Sequence, residues 1–219
     1  MPDYVRPVLP GRVFVDEHGA PIEYGRRWGD DSPPDEAYSR TGNLERFAGL
    51  HTVALALIEW LRASFDVEVD EGADAEADLL LQPTDMVRAV RLTPASAQCA
   101  PLTFVLTGFP GVFLHAGMLH DFHFPACGCD ACDEDPSALV DDFEWTVRMV
   151  VAGHYHETAG SPRGGWHGFR LDEPGVGSRA GQGQTIELPP GVLEAALERM
   201  PAGGRWRAWP ERTESAPGG

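Results

Sequence analysis

The residues best suited to chemistry lie together, in Leu119-His120-Asp121-Phe122-His123-Phe124-Pro125-Ala126-Cys127-Gly128-Cys129-Asp130-Ala131-Cys132-Asp133-Glu134. Cys127, Cys129 and Cys132 put three of the four cysteines within six residues. Structural zinc takes four donors in a tetrahedron, and thiolate sulfur about 2.3 Å from the metal is its usual ligand. A C-x-x-C turn aims two sulfurs at one ion, and Gly128 permits a backbone angle closed to other residues. Three thiolates leave one position to fill. His123 is the nearest donor and completes the pattern H-x3-C-x-C-x2-C. Along an extended strand His123 shares a face with Asp121 and Leu119, while His120 shares the other with Phe122 and Phe124. One of the two histidines is therefore expected at the metal. Cys99, His115 from a neighbouring strand, or water are the other candidates for the fourth place. Water there would open the site to catalysis.

The same thiols admit other chemistry. Cys129-x-x-Cys132 has the spacing of a dithiol redox pair, without the βαβ pattern that accompanies one. Three thiolates can hold an iron–sulfur cluster, but the spacing matches neither ferredoxin pattern. The cluster can also be packing alone.

The elements that position this stretch are legible around it. Aromatic residues up to Phe124 alternate as a strand, which Pro125 ends. Asp135 is placed to cap a long helix with Pro136 at its first position, and Leu139, Val140, Phe143, Val147, Val150 and Val151 form its apolar stripe. The cysteines fall in the strand-to-helix loop. The helix is expected to reach His154-Tyr155-His156-Glu157, where the two histidines point apart and suit the helix dipole rather than one ion.

Upstream, Arg12–Val15 and Pro21–Tyr24 read as a hairpin about Glu17-His18-Gly19. Asn43 is expected to cap a first long helix. Its stripe is Leu44, Phe47, Leu50, His51, Ala54, Leu57, Ile58 and Leu61, with His51 a hydrogen-bonded core residue. Phe65, Val67 and Val69 alternate as a strand, and the acidic run over 70–78 reads as a solvated loop. Met86–Leu92, Leu102–Thr107, Val112–His115 and Leu119–Phe124 are four further strands, with a turn at Gly108-Phe109-Pro110-Gly111. Downstream, 164–171 reads as a strand, 175–183 as a Gly-rich loop, Val192–Met200 as a short helix and Trp206–Trp209 as an edge strand. Short turns between consecutive strands predict an α+β fold. It comprises a mostly antiparallel sheet with two long helices packed on it, and the cysteine-rich loop joins the last central strand to the second helix. Residues 1–211 are expected to form one domain, with 212–219 a disordered tail.

The chain has 219 residues, 42% of them hydrophobic, enough to bury a core without a metal. The formal net charge of -17 argues against nucleic acid and anionic membranes, and suits either a solvated surface or a basic protein partner. The start lacks a signal peptide, no apolar run is long enough to span a membrane, and the cytoplasm is the expected compartment. Thiols stay reduced there, which favours metal over disulfide.

Two stretches carry a resemblance. One is Tyr24-Gly25-Arg26-Arg27-Trp28-Gly29-Asp30-Asp31-Ser32-Pro33-Pro34-Asp35-Glu36-Ala37-Tyr38-Ser39-Arg40 with Glu45-Arg46-Phe47-Ala48-Gly49-Leu50-His51. The other is Phe122 to Glu134. Together they resemble an uncharacterised bacterial family known only as a domain of unknown function. The resemblance covers most of the chain and implies a cytoplasmic single-domain protein. It carries over no activity and no catalytic residue.

The expectation is a non-enzymatic binding or interaction domain with a structural zinc held by Cys127, Cys129, Cys132 and His123. The rival is a metal-dependent hydrolase with an open metal site and Asp121, Glu134 or His120 as general base. Three thiolates donate charge and blunt the metal's acidity, which weighs against the rival.

Overall fold

The computed structural model describes residues 3–72, 74–161 and 164–213. The fold is α+β, with two antiparallel sheets rather than one. The first has five strands in sequence order: β1 (Val67–Asp70), β2 (Met86–Pro94), β3 (Leu102–Thr107), β4 (Val112–Ala116) and β5 (His120–Phe124). The second has three, β6 (Tyr155–Thr158), β7 (Trp166–Glu173) and β8 (Gly177–Gln184). Among the described residues three α-helices accompany them: α1 (Gly49–Ser64), α2 (Pro136–Val151) and α3 (Val192–Arg199).

Every residue of β3 is buried, as befits the central strand of the larger sheet. One face of that sheet meets α1 and α2. Leu50, Leu57, Ile58 and Leu61 from α1 and Val140, Phe143, Val147 and Val150 from α2 close over Phe104, Leu114, Phe122 and Phe124. The Phe143 ring lies 6.0 Å from Phe104 and 4.9 Å from Phe124. The strong apolar periodicity of both helices is thus spent on one core, which also takes in Tyr155 and Leu171 of the second sheet.

β5 is the edge of the first sheet, and its alternation decides what each side chain meets. His120, Phe122 and Phe124 are buried, while Asp121 and His123 are half-buried. Phe169 of β7 stands edge-on to Phe122 at 4.8 Å, so the second sheet packs across the end of β5.

Several elements depart from the sequence expectation. The hairpin at 12–25 shrinks to one bridge, Val15 with Pro21, around a turn held by the Asp16 carboxylate. Asn43 is not a helix cap. It sits in the left-handed region (φ 47°), Leu44–Phe47 forms a 3-10 turn, and the α-helix starts at Gly49. The physical reason is Arg46, which is drawn inward onto the Gly42 and Gly128 carbonyls. Helix α2 begins as expected, with Asp135 accepting from the Ala138 amide at 2.7 Å. It stops at Val151, because Gly153 turns left-handed (φ 77°) and Tyr155–Thr158 enters the second sheet. His154 and His156 are therefore not helical.

The Gly-rich run is a strand, not a loop. A Cβ at Gly181 would meet Phe169 at 2.5 Å and one at Gly183 would meet His167 at 2.7 Å, so the missing side chains make room for rings on β7. Asp70 and Asp78 in the acidic run are not free in solvent: both pair with Arg91. Trp206–Trp209 forms no strand but a strap, with backbone bonds to Tyr155, Gln98 and Val151. The Arg212 amide is bonded to the Ser64 carbonyl at 2.9 Å, and the rest of the expected tail, from 214 on, lies outside the described residues.

Candidate metal centre

Pro125 ends β5, Asp135 starts α2, and the nine residues between them carry the thiols. Gly128 adopts φ 83°, and a Cβ on it would meet Phe109 at 2.7 Å, so glycine is required twice over. The Sγ atoms of Cys127, Cys129 and Cys132 all lie within 4.8 Å of one another. Sulfurs on one tetrahedral zinc are roughly 3.8 Å apart, so small side-chain movements close the set around an ion. Cys129 is buried, and Cys127 and Cys132 are exposed.

The backbone around the thiols is tied down from two sides. Glu134 reaches back over the loop: Oε1 accepts from the Ala126 amide at 2.9 Å, and Oε2 accepts from the amides of Gly128 at 2.8 Å and Cys127 at 3.4 Å. From the other side comes the N-terminal arm, residues 24–47. The buried Asp130 accepts from the Gly42 amide at 2.7 Å and pairs with Arg27 at 3.6 Å and Arg46 at 3.8 Å. Trp28 Nε1 donates to the Asp130 carbonyl, and the Asp130 and Ala131 amides donate to the carbonyls of Arg40 and Ala37. Asp133 accepts from the Arg27 amide at 2.7 Å. The Arg46 guanidinium lies 4.5 Å over the Tyr24 ring and 4.2 Å over the Phe47 ring. The arm has little regular structure of its own, and the cysteine loop is what holds it.

The Cys132 amide and the Cys127 thiol donate toward Cys129 and pull its pKa down. Hydrogen bonds to Cys129 and Cys127, and then burial, push the Cys132 thiol up to about 12. A bound cation would favour the thiolate, which is the form that binds metal.

The other expected site residues stand as follows. His123 lies outside the mutually close set of ligand atoms. It shares a cleft of about 220 Å³ with Cys127, Phe113, Phe124 and Pro125, and its ring lies 4.3 Å from that of Phe113. Its Nε2 is buried with no hydrogen-bond partner among the described residues, and burial holds its pKa down. Cys99 is elsewhere, its Sγ donating to the Ala208 carbonyl at 3.2 Å. His115 is buried against Asp121, Nδ1 to Oδ1 at 2.7 Å. Of the groups expected as bases, Glu134 clamps the loop and Asp121 also accepts from the amides of Leu80 and Leu81, whereas His120 has Nδ1 3.3 Å from Glu157 and Nε2 without a partner among the described residues. His51 is a core contact, with Nε2 3.0 Å from the Gly111 carbonyl.

Sequence reasoning missed Glu157, which is almost wholly buried. Its carboxylate accepts from the amides of Met118 and Leu119, from Trp206 Nε1 and from His120 Nδ1. It ties β6 to the β4–β5 turn and to the C-terminal strap. No local pattern announces it, because its donors come from two distant parts of the chain.

No helix among the described residues is long and apolar enough to cross a membrane. No curated protein and no solved structure matches the chain. A family model does match, over residues 10–213, and with nearly the whole chain covered, cysteine loop and N-terminal arm included, this protein belongs to the family of unknown function DUF6226.

Proposed function

We propose that the protein is a non-enzymatic binding or interaction domain in which Cys127, Cys129 and Cys132 hold a structural zinc ion, with His123 as the fourth ligand. The observation that carries this reading is the closeness of the three sulfurs in a loop to which both α2 and the N-terminal arm are fastened. An ion there would lock an irregular arm of about two dozen residues onto the sheet and helix pair. That is the work of a structural metal: it adds binding free energy to folding where the chain lacks secondary structure. His123 lines the same cleft as Cys127, which supports it as the fourth ligand. The engagement of Glu134 and Asp121 in other hydrogen bonds supports a structural role over a hydrolytic one.

The acidic surface suits a basic protein partner, and retention of such a partner on the immobilised chain should weaken as salt rises. The cytoplasm, where thiols stay reduced, is the compartment this reading calls for.

Cobalt substitution with chelator melting tests the metal. Cobalt bound through thiolates gives intense sulfur-to-metal absorption, and that absorption should vanish in Cys129→Ser. Chelation should lower the melting temperature and expose the arm around Trp28 to protease. A bound metal whose removal leaves both melting and proteolysis unchanged would overturn the structural role.

A further inference from the structure

The second sheet and the edge of β5 line an open cleft of about 420 Å³ that no cysteine lines. Leu80, Leu119 and Phe169 give it apolar walls, and His120, His123 and His167 give it three imidazoles. His120 and His167 are both more than nine-tenths buried. His120 Nε2 and His167 Nδ1 have no hydrogen-bond partner among the described residues. Buried polar atoms are as a rule hydrogen-bonded, so two bare imidazole nitrogens in one cleft ask for an explanation.

The tautomer of His120 follows from its neighbours. Its Nδ1 faces Glu157 Oε1 at 3.3 Å, and the Tyr155 hydroxyl beside it donates to the Ala116 carbonyl. Glu157 receives donors at both oxygens, so Nδ1 carries the proton toward it, and Nε2 presents a lone pair. A carboxylate behind an imidazole whose far nitrogen is a bare lone pair is the arrangement that orients histidine for a metal.

The spacing of the two rings fits the same chemistry. Two imidazoles on one tetrahedral ion have ring centres roughly 5.2 Å apart, from about 2.05 Å between metal and nitrogen and about 1.1 Å from nitrogen to ring centre. The rings of His120 and His167 are 5.2 Å apart, inclined at 42°. Gly183 makes room for the His167 ring, since a Cβ there would meet its Nε2 at 2.7 Å.

We infer that His120 and His167 form a second, imidazole-based site for a divalent late transition metal such as zinc, oriented by Glu157 and independent of the cysteine loop. No third His, Cys, Asp or Glu completes the set among the described residues, so the remaining positions belong to water or to a ligand's donor atom. The site would thereby keep open positions. Imidazole suits zinc, copper and nickel, and with two protein ligands the affinity falls below that of the thiolate set.

The test is zinc titration of the full chain carrying Cys127→Ser, Cys129→Ser and Cys132→Ser, followed by long-range ¹H–¹⁵N spectra of the histidine rings. One equivalent of zinc should bind and shift the His120 Nε2 and His167 Nδ1 resonances. His167→Ala should weaken that binding at least tenfold. If the triple variant does not fold, the same titration is run on wild type beyond its first equivalent, reading the same two nitrogens. Unmoved His120 and His167 resonances, in either protein, would overturn the inference. The thiolate reading would stand or fall separately, on the cobalt spectrum of Cys129→Ser.

Discussion

Replacing Glu134 by glutamine separates a loop clamp from a catalytic base. The wild-type carboxylate accepts from Ala126, Cys127 and Gly128 amides through both oxygens. Glutamine keeps one acceptor oxygen and turns an NH2 toward amides that themselves donate, so at least one of the three bonds is lost and the rest lose their charge. A hydrogen bond to a charged group contributes about 1.5–3 kcal/mol, and the exposure of Ala126 and Cys127 puts this case at the low end. Taking about 1.4 kcal/mol of lost preorganisation, the metal's dissociation constant should rise about tenfold. Competition against a chromophoric zinc chelator at fixed pH reads that change directly. Glu134→Asp, too short to span the loop, should behave like the glutamine variant. Unchanged zinc affinity in Glu134→Gln would refute the clamp. It would return Glu134 to the role of a base beside an open metal site.

Other substitutions test the framework. Asp130→Ala leaves the buried Arg46 guanidinium without its carboxylate and should cost roughly 3 kcal/mol in denaturant unfolding, with the N-terminal arm released to protease first. Glu157→Gln disturbs four donors at a buried carboxylate and should also cost roughly 3 kcal/mol, whereas an exposed-surface change would leave the midpoint unmoved. Gly181→Ala drives a methyl against the Phe169 ring and should destabilise by about 1–3 kcal/mol, while Gly177→Ala on the same strand, with open space around it, should melt close to wild type.

The parts of the fold visible in the sequence are those fixed by local pattern. Four strands over 86–124 and the start of α2 follow from alternation, turn residues and the Asp135-Pro136 cap, and each forms where expected. The cysteine loop was legible for the same reason, since its thiols and Gly128 sit within six residues. What stayed hidden depends on contacts between distant segments. Gly177–Gln184 lacks strand-forming side chains and becomes a strand only because His167 and Phe169 fill the space above its glycines. Asn43 fails as a cap because Arg46 is pulled to Gly128, eighty-two residues away. The His120–His167 pair joins two sheets, and neither residue's own neighbours in sequence point to the other.

Elemental mass spectrometry on untagged protein, wild type beside Cys129→Ser, bears most directly on the thiolate site. If Cys127, Cys129 and Cys132 hold zinc, the wild type should carry about one more zinc per chain than the variant. Equal metal content in the two proteins, with all thiols of the reduced wild type titratable at full stoichiometry, would contradict it.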